Sequence, residues 1–487
     1  MKTKSILILI IGLLTAVPVV AGETDSLTHY LKQAAHNNPQ VNADFMLYRA
    51  SLEKIPQAGA YPDPELEVGL FVQPMETLMG KQVADFTLMQ MFPWFGTRKA
   101  ARNEASEMAR MSYEKYRESR NNLWFDVKSQ WYQLSNLNNQ YKTTQANITL
   151  LRQLEQLALN RFAASSAQGS TSASVAPAKG NSMPPATGGG SGMSGMGGMS
   201  SNAPASSPAT NMSSPMGGGA MGGGSMSGGV GGMSDVLRIQ MERAELEDQL
   251  ANLLSARLVA EAQFNVLLNR PSDSPVTVPD SLEQRTFSMD ERVILDSIFT
   301  RNPMLTMLEA EGSAYRAKAK MDRRMSYPMI GIGLQYSLIN KVNNPMGMED
   351  MNGKDMFMPM LKISLPLFRG KYNAQQRESR NYWKASELKR DNVQNQLQAE
   401  YINVSQQLEN AARKVELYKQ QYALSLSTWQ LIVREFSAGR QSLTDVIQVE
   451  RQMLDYRLKQ SEAVATYNTT VASIEKLIST SLTTETR

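Results

Sequence analysis

The 487-residue chain contains no cysteine. This absence excludes disulfide bonds, thiolate metal sites and a lipid-modified cysteine at a processing site. The only histidines are His29 and His36, which we interpret as surface residues because the spacing with carboxylates found in metal sites is missing. No Ser-His-Asp arrangement, phosphate-binding loop or dinucleotide fingerprint stands in a suitable context. The sequence therefore indicates neither an enzyme nor a bound cofactor.

Strong net charge and long apolar runs are also absent. A formal net charge of +4 gives no indication of a polyanionic partner. After the N-terminal region, no apolar run reaches the ~18 residues that a membrane-spanning helix needs. The N-terminus has Lys2 and Lys4 before an apolar run, Ile6 to Val20, that is followed by Ala21. This pattern predicts a secretory signal peptide over residues 1–21, and the run is short for a membrane anchor.

The rest of the chain repeats itself, which predicts two repeats, residues 22–287 and 288–487. Short segments recur in the same order in both halves. The clearest pairs are HNNP (36–39) with TRNP (300–303), AYP (60–62) with SYP (326–328), and MFPWF (91–95) with SLPLF (364–368). Phe162 corresponds to Phe436 and Asp235 to Asp445, so the first half carries about 64 extra residues between these positions.

Each repeat is predicted to be mainly helical. An opening helical segment (26–58 or 288–325) precedes two strands, a long helix and a return helix (235–268 or 445–480). Proline is absent from 98 to 162 and from 371 to 444, and apolar residues recur in alternating steps of three and four, as in a coiled coil. A helix of ~64 residues would be roughly 95 Å long. Each return helix and opening helix together match one long helix in length, so we expect them to stack end to end beside it.

Four segments alternate between apolar and polar residues and are predicted to be strands. The clearest are residues 65–72 and 330–338, and the rougher ones are residues 83–91 and 357–365. Their length is that of a tilted strand crossing a bilayer, although a soluble hairpin lying on the helices fits locally as well. Four strands cannot close a barrel alone, and open edges are not tolerated in lipid. Strands that span a membrane here would therefore belong to a barrel shared by several chains.

With these features, the chain resembles the TolC family of outer-membrane efflux proteins. The best local marks are two strand-to-helix turns, FPWFG (92–96) and LPLFRG (365–370), and the segment FSAGRQSLTDV (436–446). The resemblance implies a homotrimeric α-helical coiled-coil barrel continuous with a β-barrel to which each chain gives four strands. It implies a passive duct in the outer membrane of a Gram-negative bacterium, extending into the periplasm. Its partners would be a periplasmic adaptor, or membrane fusion protein, and an inner-membrane pump, expected to be of the RND type.

The resemblance also identifies a candidate gate at the periplasmic tip of the tunnel. The residues carried over are Ser234, Asp235, Phe436, Gly439, Arg440, Thr444 and Asp445. Independently, Gly439 can adopt the positive φ that ends a helix, and Ser442 with Asp445 predicts a capping box for the return helix. Two aspartates per chain around a three-fold axis would make an acidic ring that favours cations. The family often places its basic gate residue one position after Arg440, where this chain has Gln441.

Methionine marks both ends of the predicted duct. The extra segment, about 163–233, has no aromatic residue, leucine or isoleucine, so we expect it to be disordered. Thioethers are soft ligands for Cu(I) and Ag(I), and methionine is the only soft ligand in this chain. The alternative interpretation is that these methionines bind nothing, because methionine is a flexible residue that low-complexity loops tolerate. Candidate ligands are Met183, Met193, Met196, Met199, Met212, Met216, Met221, Met226 and Met233 in the extra segment, and Met346, Met348 and Met351 between the last two strands.

Two other functions stay open at the level of sequence. Within the same class, the duct could serve organic toxins or secreted polypeptides instead of metal ions. From another class, a periplasmic coiled-coil adaptor would also be exported and helical, although the predicted strand pairs argue against it.

Overall fold

A computed structural model describes residues 27–77, 79–169, 233–279, 281–288, 290–343 and 352–479. The predicted signal peptide, residues 170–232 of the extra segment, and Met346, Met348 and Met351 lie outside these ranges. The helices are α1 (Leu27–Asn37), α2 (Pro39–Ala58), α3 (Thr97–Gly169), α4 (Met233–Leu267), α5 (Glu291–Arg301), α6 (Pro303–Met325), α7 (Arg369–Ser437) and α8 (Leu443–Ile478). The strands are β1 (Glu65–Thr77), β2 (Gly80–Phe92), β3 (Met329–Asn340) and β4 (Met356–Ser364).

The two long helices are α3, with 73 residues, and α7, with 69. At 1.5 Å per residue, each is roughly 105 Å long. Their apolar seams are buried as predicted, with Leu397, Tyr401 and Val404 below 10% exposed in α7. Helix α3 continues to Gly169, beyond the predicted start of the extra segment at residue 163. The alanine and serine residues in this stretch do not break a helix.

Each predicted opening helix is divided in two by an Asn-Pro pair. Asn38 separates α1 from α2, and Asn302 separates α5 from α6. The proline lacks an N–H and fits the first position of the second helix, whereas the asparagine before it is held in an extended conformation. The predicted single segments 26–58 and 288–325 are therefore two helices each.

These two asparagines also join the opening helices to the return helices. The side-chain oxygen of Asn302 accepts a hydrogen bond from the N–H of Met304 (3.0 Å), and its amide nitrogen donates to the carbonyl oxygen of Leu477 (3.2 Å). Asn38 likewise caps α2 and donates to the carbonyl oxygen of Leu267 (3.1 Å). One side chain thus satisfies an N–H at the start of one helix and a C=O at the end of another. The end-to-end stacking predicted from the helix lengths is confirmed at these two junctions.

The stacked helices form two columns, and the four rods lie side by side. The first column contains α1, α2 and α4, and the second contains α5, α6 and α8. Helix α3 packs between the two columns, and α7 packs on the far side of the second column. The sheet has the matching order β1-β2-β3-β4, with antiparallel neighbours. Each rod leads into one strand, so the first column with β1 and α7 with β4 form the two edges of the chain.

The strand register creates one apolar face. Directly paired residues share a face of the sheet, and Leu66, Leu88 and Leu334 occupy one row. Neighbouring rows add Val68, Phe86, Tyr336 and Phe357, and Ile332 with Leu361. The four strands run from 9 to 13 residues, slightly longer on average than predicted, because β1 continues past a bulge between Leu70 and Met75.

The connector between α4 and α5 joins the two repeats. It is held by side chains in the middle of the helical layer. The Asn468 side chain donates to the carbonyl oxygen of Glu283 (2.8 Å) and accepts from the N–H of Arg285 (2.9 Å). The Arg285 guanidinium and the Lys128 ammonium both contact the Glu475 carboxylate at 2.7 Å. The neighbouring cations hold the pKa of Glu475 below its usual range, although burial opposes this effect. The connector therefore ties α3 to α8.

The junction at Asn302 can be tested by Asn302→Asp. Aspartate is as good an N-cap as asparagine, but it places a carboxylate oxygen against the Leu477 carbonyl at the negative end of α8. We expect the variant to lose about 2 kcal/mol or more of stability, because a buried donor is replaced by an acceptor. The measurement is the midpoint of thermal unfolding followed by circular dichroism. The control is Asp290→Asn at the N-cap of α5, which exchanges the same residue types at an exposed cap; equal midpoints for the two variants would contradict the role given to Asn302.

Candidate functional site

The ends of the two helical hairpins meet at the end of the helical layer that is far from the sheet. A buried apolar cluster there combines Phe436, Leu443 and Val446 of the second hairpin with Leu151 of α3 and Ile239 of α4. Helix α3 starts beside the sheet and runs the whole length of the layer before it reaches this cluster. The candidate gate residues predicted from the sequence therefore lie together at one end of the molecule.

The turn between α7 and α8 has the predicted form. Gly439 has a φ of +79°, a conformation that residues with a side chain rarely adopt. Its N–H donates to the Phe436 carbonyl (3.0 Å), and the N–H of Arg440 donates to the Glu435 carbonyl (2.9 Å). These bonds satisfy carbonyl groups at the end of α7.

The predicted capping box is present with one difference. The Ser442 hydroxyl accepts the N–H of Asp445 at 3.3 Å, as an N-cap residue should. The Asp445 carboxylate, however, accepts the Ser442 hydroxyl (2.6 Å), whereas in a full box it would accept the backbone N–H of Ser442. Aspartate is one methylene shorter than glutamate, which is the residue that usually makes the return bond. Asp445 therefore fixes the Ser442 hydroxyl and complements the start of α8.

The first hairpin presents its counterparts at the start of α4. Ser234 and Asp235 lie in its first turn, after the exposed Met233. Arg238 of α4 donates a hydrogen bond to the Thr444 hydroxyl of α8, which links the two hairpins directly. Arg440 is exposed, and it makes no ion pair with any residue that the structure describes. The side chain of Phe162, the counterpart of Phe436, is not described.

Two polar contacts between the hairpins, each made by a buried glutamate, are not predicted from the sequence. The Nε of Arg451 in α8 donates hydrogen bonds to both carboxylate oxygens of Glu242 in α4, at 2.7 and 2.6 Å. Next to it, Asn147 of α3 donates to the Glu450 carboxylate of α8. Glu450 is fully buried. The sequence does contain a signal for these contacts. Glu242 and Glu450 stand at positions where the spacing of three and four residues along their helices would otherwise place an apolar residue.

Burial raises the pKa of Glu450 to about 7. The nearby Glu242 carboxylate raises it further, while the hydrogen bond from Asn147 and the charge of Arg451 oppose the shift. Glu450 is thus a group that changes charge near neutral pH at the contact between α8 and the first hairpin. A carboxylate at this position favours separation of the hairpins, and a neutral carboxyl favours their contact.

Metal-ligating groups of the usual kind are not gathered here. Among the residues that the structure describes, no group of three or more His, Asp or Glu side chains is placed to hold a metal ion. His29 and His36 are exposed, as predicted. Asp235 and Asp445 stand separately in the first turns of α4 and α8.

Comparison with known proteins gives the same architecture. Residues 294–480 match the model of a family described as outer membrane efflux protein. No curated protein matches the chain. The fold is similar to that of the outer membrane protein VceC from Vibrio cholerae, with 12% identity over 93% of this chain and 96% of that one and a TM-score of 0.65.

Two further solved structures are similar. CusC, studied for its transmembrane channel formation, shares 12% identity over 93% of this chain and 91% of its own, with a TM-score of 0.64. The outer membrane channel MtrE of Neisseria gonorrhoeae shares 12% identity over 93% and 89%, with a TM-score of 0.59. Identities this low show the fold alone. The family match covers residues 294–480, which is most of the second repeat and less than half of the chain.

The family match and the similar structures together place the protein in the outer membrane of a Gram-negative cell, with its helices in the periplasm. Proteins of this family are channels without catalytic activity or cofactors, and they act as homotrimers with periplasmic adaptors and inner-membrane pumps. None of the helices in the described ranges combines the length and apolarity needed to cross a membrane.

The Glu450 contact predicts a pH-dependent stability. Because the pKa of Glu450 is raised from 4.5 to about 7, its ionisation weakens the fold as pH rises through this interval, and the effect is constant above it. We expect Glu450→Gln to unfold at a higher temperature than the wild type at about pH 8, with a smaller difference at about pH 5. The control is Glu245→Gln, an exposed carboxylate that also faces Arg451 at 3.5 Å. A difference that does not change with pH would contradict this assignment.

Proposed function

We propose that three copies of this chain form one exit duct, which receives its substrate from an RND-type inner-membrane pump through a periplasmic adaptor. The observation that carries this proposal is the pair of unfinished edges on the chain. β1 and β4 each pair on one side only, so each has a row of backbone N–H and C=O groups without partners in the described chain. Against lipid, such groups cost several kcal/mol each. Edge-to-edge pairing with further copies closes the sheet into a barrel.

The helical edges support the same closure. On the side opposite its buried seam, α7 carries exposed apolar residues, namely Leu388, Ile402, Leu417, Leu424 and Leu431. On the outer side of the first column, α4 carries Leu237, Met241, Val259 and Val266, also exposed. Both stripes lie on the rods that lead to the edge strands. A neighbouring copy that pairs β4 with β1 would bring the two stripes together.

The far end of the helical layer is proposed as the gated periplasmic entrance. Its residues are Ser234, Asp235, Phe436, Gly439, Arg440, Thr444 and Asp445. Support comes from their position, about 100 Å from the sheet along α3, and from the direct hydrogen bond between Arg238 and Thr444. In this proposal the contact between the hairpins holds the entrance closed, and Asp235 and Asp445 attract cations to it.

The proposed cargo is Cu(I) or Ag(I). Support comes from the sequence, because methionine is concentrated in the extra segment and in the loop before β4, and no thiol competes for soft ions. Those loops lie outside the described residues. A duct for organic compounds would have no use for a concentration of thioethers at both ends of the duct.

Leu424→Glu tests the closure of the duct. A carboxylate on the α7 stripe would have to be buried against the neighbouring copy, and the cost of burying an unpaired charge is several kcal/mol. We expect the variant to lose the trimer in detergent, as measured by light scattering coupled to gel filtration. Leu424→Met, which changes the same side chain without adding a charge, is the control and should remain trimeric. Equal masses for the two variants would contradict the proposed interface.

Growth of a strain without this chain tests the cargo. We expect lower minimal inhibitory concentrations of copper and silver salts, restored by the full-length chain, because soft ions would accumulate in the periplasm. Unchanged resistance to both metals together with increased sensitivity to organic drugs would reject the metal cargo. That outcome would leave the duct itself in place.

A further inference from the structure

The sheet carries a row of methionines on the face opposite the apolar one. On β3, Gly331 pairs with Met91, and Gly333 pairs with both Met89 and Met360. Every second residue of β3, together with its partners on β2 and β4, forms a further row on the same face. Successive rows are about 6.8 Å apart. In order along the sheet from the helical end, this methionine ladder consists of Met329, Met91, Met89 with Met360, Met358 and Met356. Every row from residue 329 to residue 337 of β3 thus has a thioether.

The distribution of methionine between the two faces is one-sided. All six methionines of β2, β3 and β4 lie on the ladder face, whereas the opposite face consists mainly of leucine, isoleucine and aromatic residues, together with Ala84, Gln90 and Pro359. A residue that serves only as flexible apolar filler would be expected on the lipid face as well. On the ladder face the neighbours are polar, including Thr87, Gln335 and Ser337. This is the face that lines the channel when the apolar face meets lipid.

Two glycines allow the sulfur atoms to converge. The sulfur atoms of Met91 and Met89 lie 2.5 and 3.3 Å from the position that a Cβ on Gly331 would occupy. The Met89 sulfur also lies 3.0 Å from the corresponding position on Gly333. Met360 flanks Gly333 from the other strand, with no side chain between it and Met89. The glycines therefore leave a slot on β3 where side chains from β2 and β4 can meet.

We propose that Met89, Met91 and Met360 form a binding site for Cu(I) or Ag(I), and that the rest of the ladder passes the ion along the channel wall. Thioethers bind these soft ions and discriminate against hard cations such as Na⁺ and Mg²⁺. Glu65, which pairs with Met89, and Asp85 share this face and favour cations, while Lys362 beside Gly331 acts against them. Three neutral ligands hold an ion without trapping it, and the flexible methionine side chain can exchange ligands between rows. This inference depends on the proposed metal cargo, and it adds the route by which the ion would pass through the sheet region of the channel.

Residue-resolved oxidation of the full-length trimer in detergent tests this site. A thioether whose sulfur binds a metal ion is protected from oxidation to the sulfoxide. Silver nitrate in chloride-free buffer is the probe, hydrogen peroxide the oxidant, and mass spectrometry of peptides the measurement. We expect silver to slow oxidation of Met89, Met91 and Met360 by about tenfold. Met46 and Met304 on helices are the internal reference, because they are exposed and lie away from the sheet.

Matched variants separate the ladder from the methionines of the extra segment. The triple variant M89L/M91L/M360L removes the sulfur atoms with little change in volume, and M46L/M304L/M307L makes the same change on helices α2 and α6 away from the sheet. We expect the first to bind fewer silver ions per chain than the second while both remain trimeric. Equal silver binding by the two variants, or oxidation of Met89, Met91 and Met360 at the reference rate in the presence of silver, would overturn the site.

The failure of the site and the failure of the cargo are distinguishable. A metal-sensitive deletion strain together with an unprotected ladder would reject the site and leave the cargo in place. A protected ladder in a chain whose loss does not change metal resistance would reject the cargo.

Discussion

A strand edge cannot be left open against lipid, and this constraint governs the architecture of the whole chain. The four strands present a continuous apolar face, but the sheet ends at β1 and β4 with unpaired backbone groups on both sides. Water could satisfy those groups, and hydrocarbon cannot. Because each strand continues into a helical rod, closing the sheet with other copies also arranges the rods around a common axis. The periplasmic tunnel is then a consequence of closing the membrane part.

The duplication gives the helical layer its even length. A column made of an opening helix and a return helix equals a long helix only if the two short helices meet end to end. Asn38 and Asn302 make that meeting possible, because an amide side chain can accept from one helix start and donate to another helix end. An aspartate side chain cannot do both, because an ionised carboxylate has no N–H or O–H to donate to a carbonyl. The pairing of HNNP with TRNP in the sequence has this physical meaning.

The overall fold was largely predictable, since the duplication, the proline-free seams and the alternating strands each act locally. The break at the Asn-Pro pairs was predictable in principle, because proline disfavours a helical residue before it, but the apolar periodicity on both sides hid it. The contacts of Glu450 and Glu242 depend on which helices become neighbours. The order of helices in the folded layer cannot be read from a single sequence. The placement of Met89, Met91 and Met360 on one face of the sheet depends on strand register, because a shift of one residue would move a strand's side chains to the opposite face.

The mass of the wild-type complex tests the central claim most directly. The edges of the sheet and the stripes on α4 and α7 require further copies of the same chain, and a ring of three satisfies both edges of each copy. Native mass spectrometry of the detergent-solubilised protein should give three chains per particle, with neither free monomer nor open-ended polymer. A stable monomer under these conditions would contradict the account, because its strand edges would then have to be satisfied within a single chain.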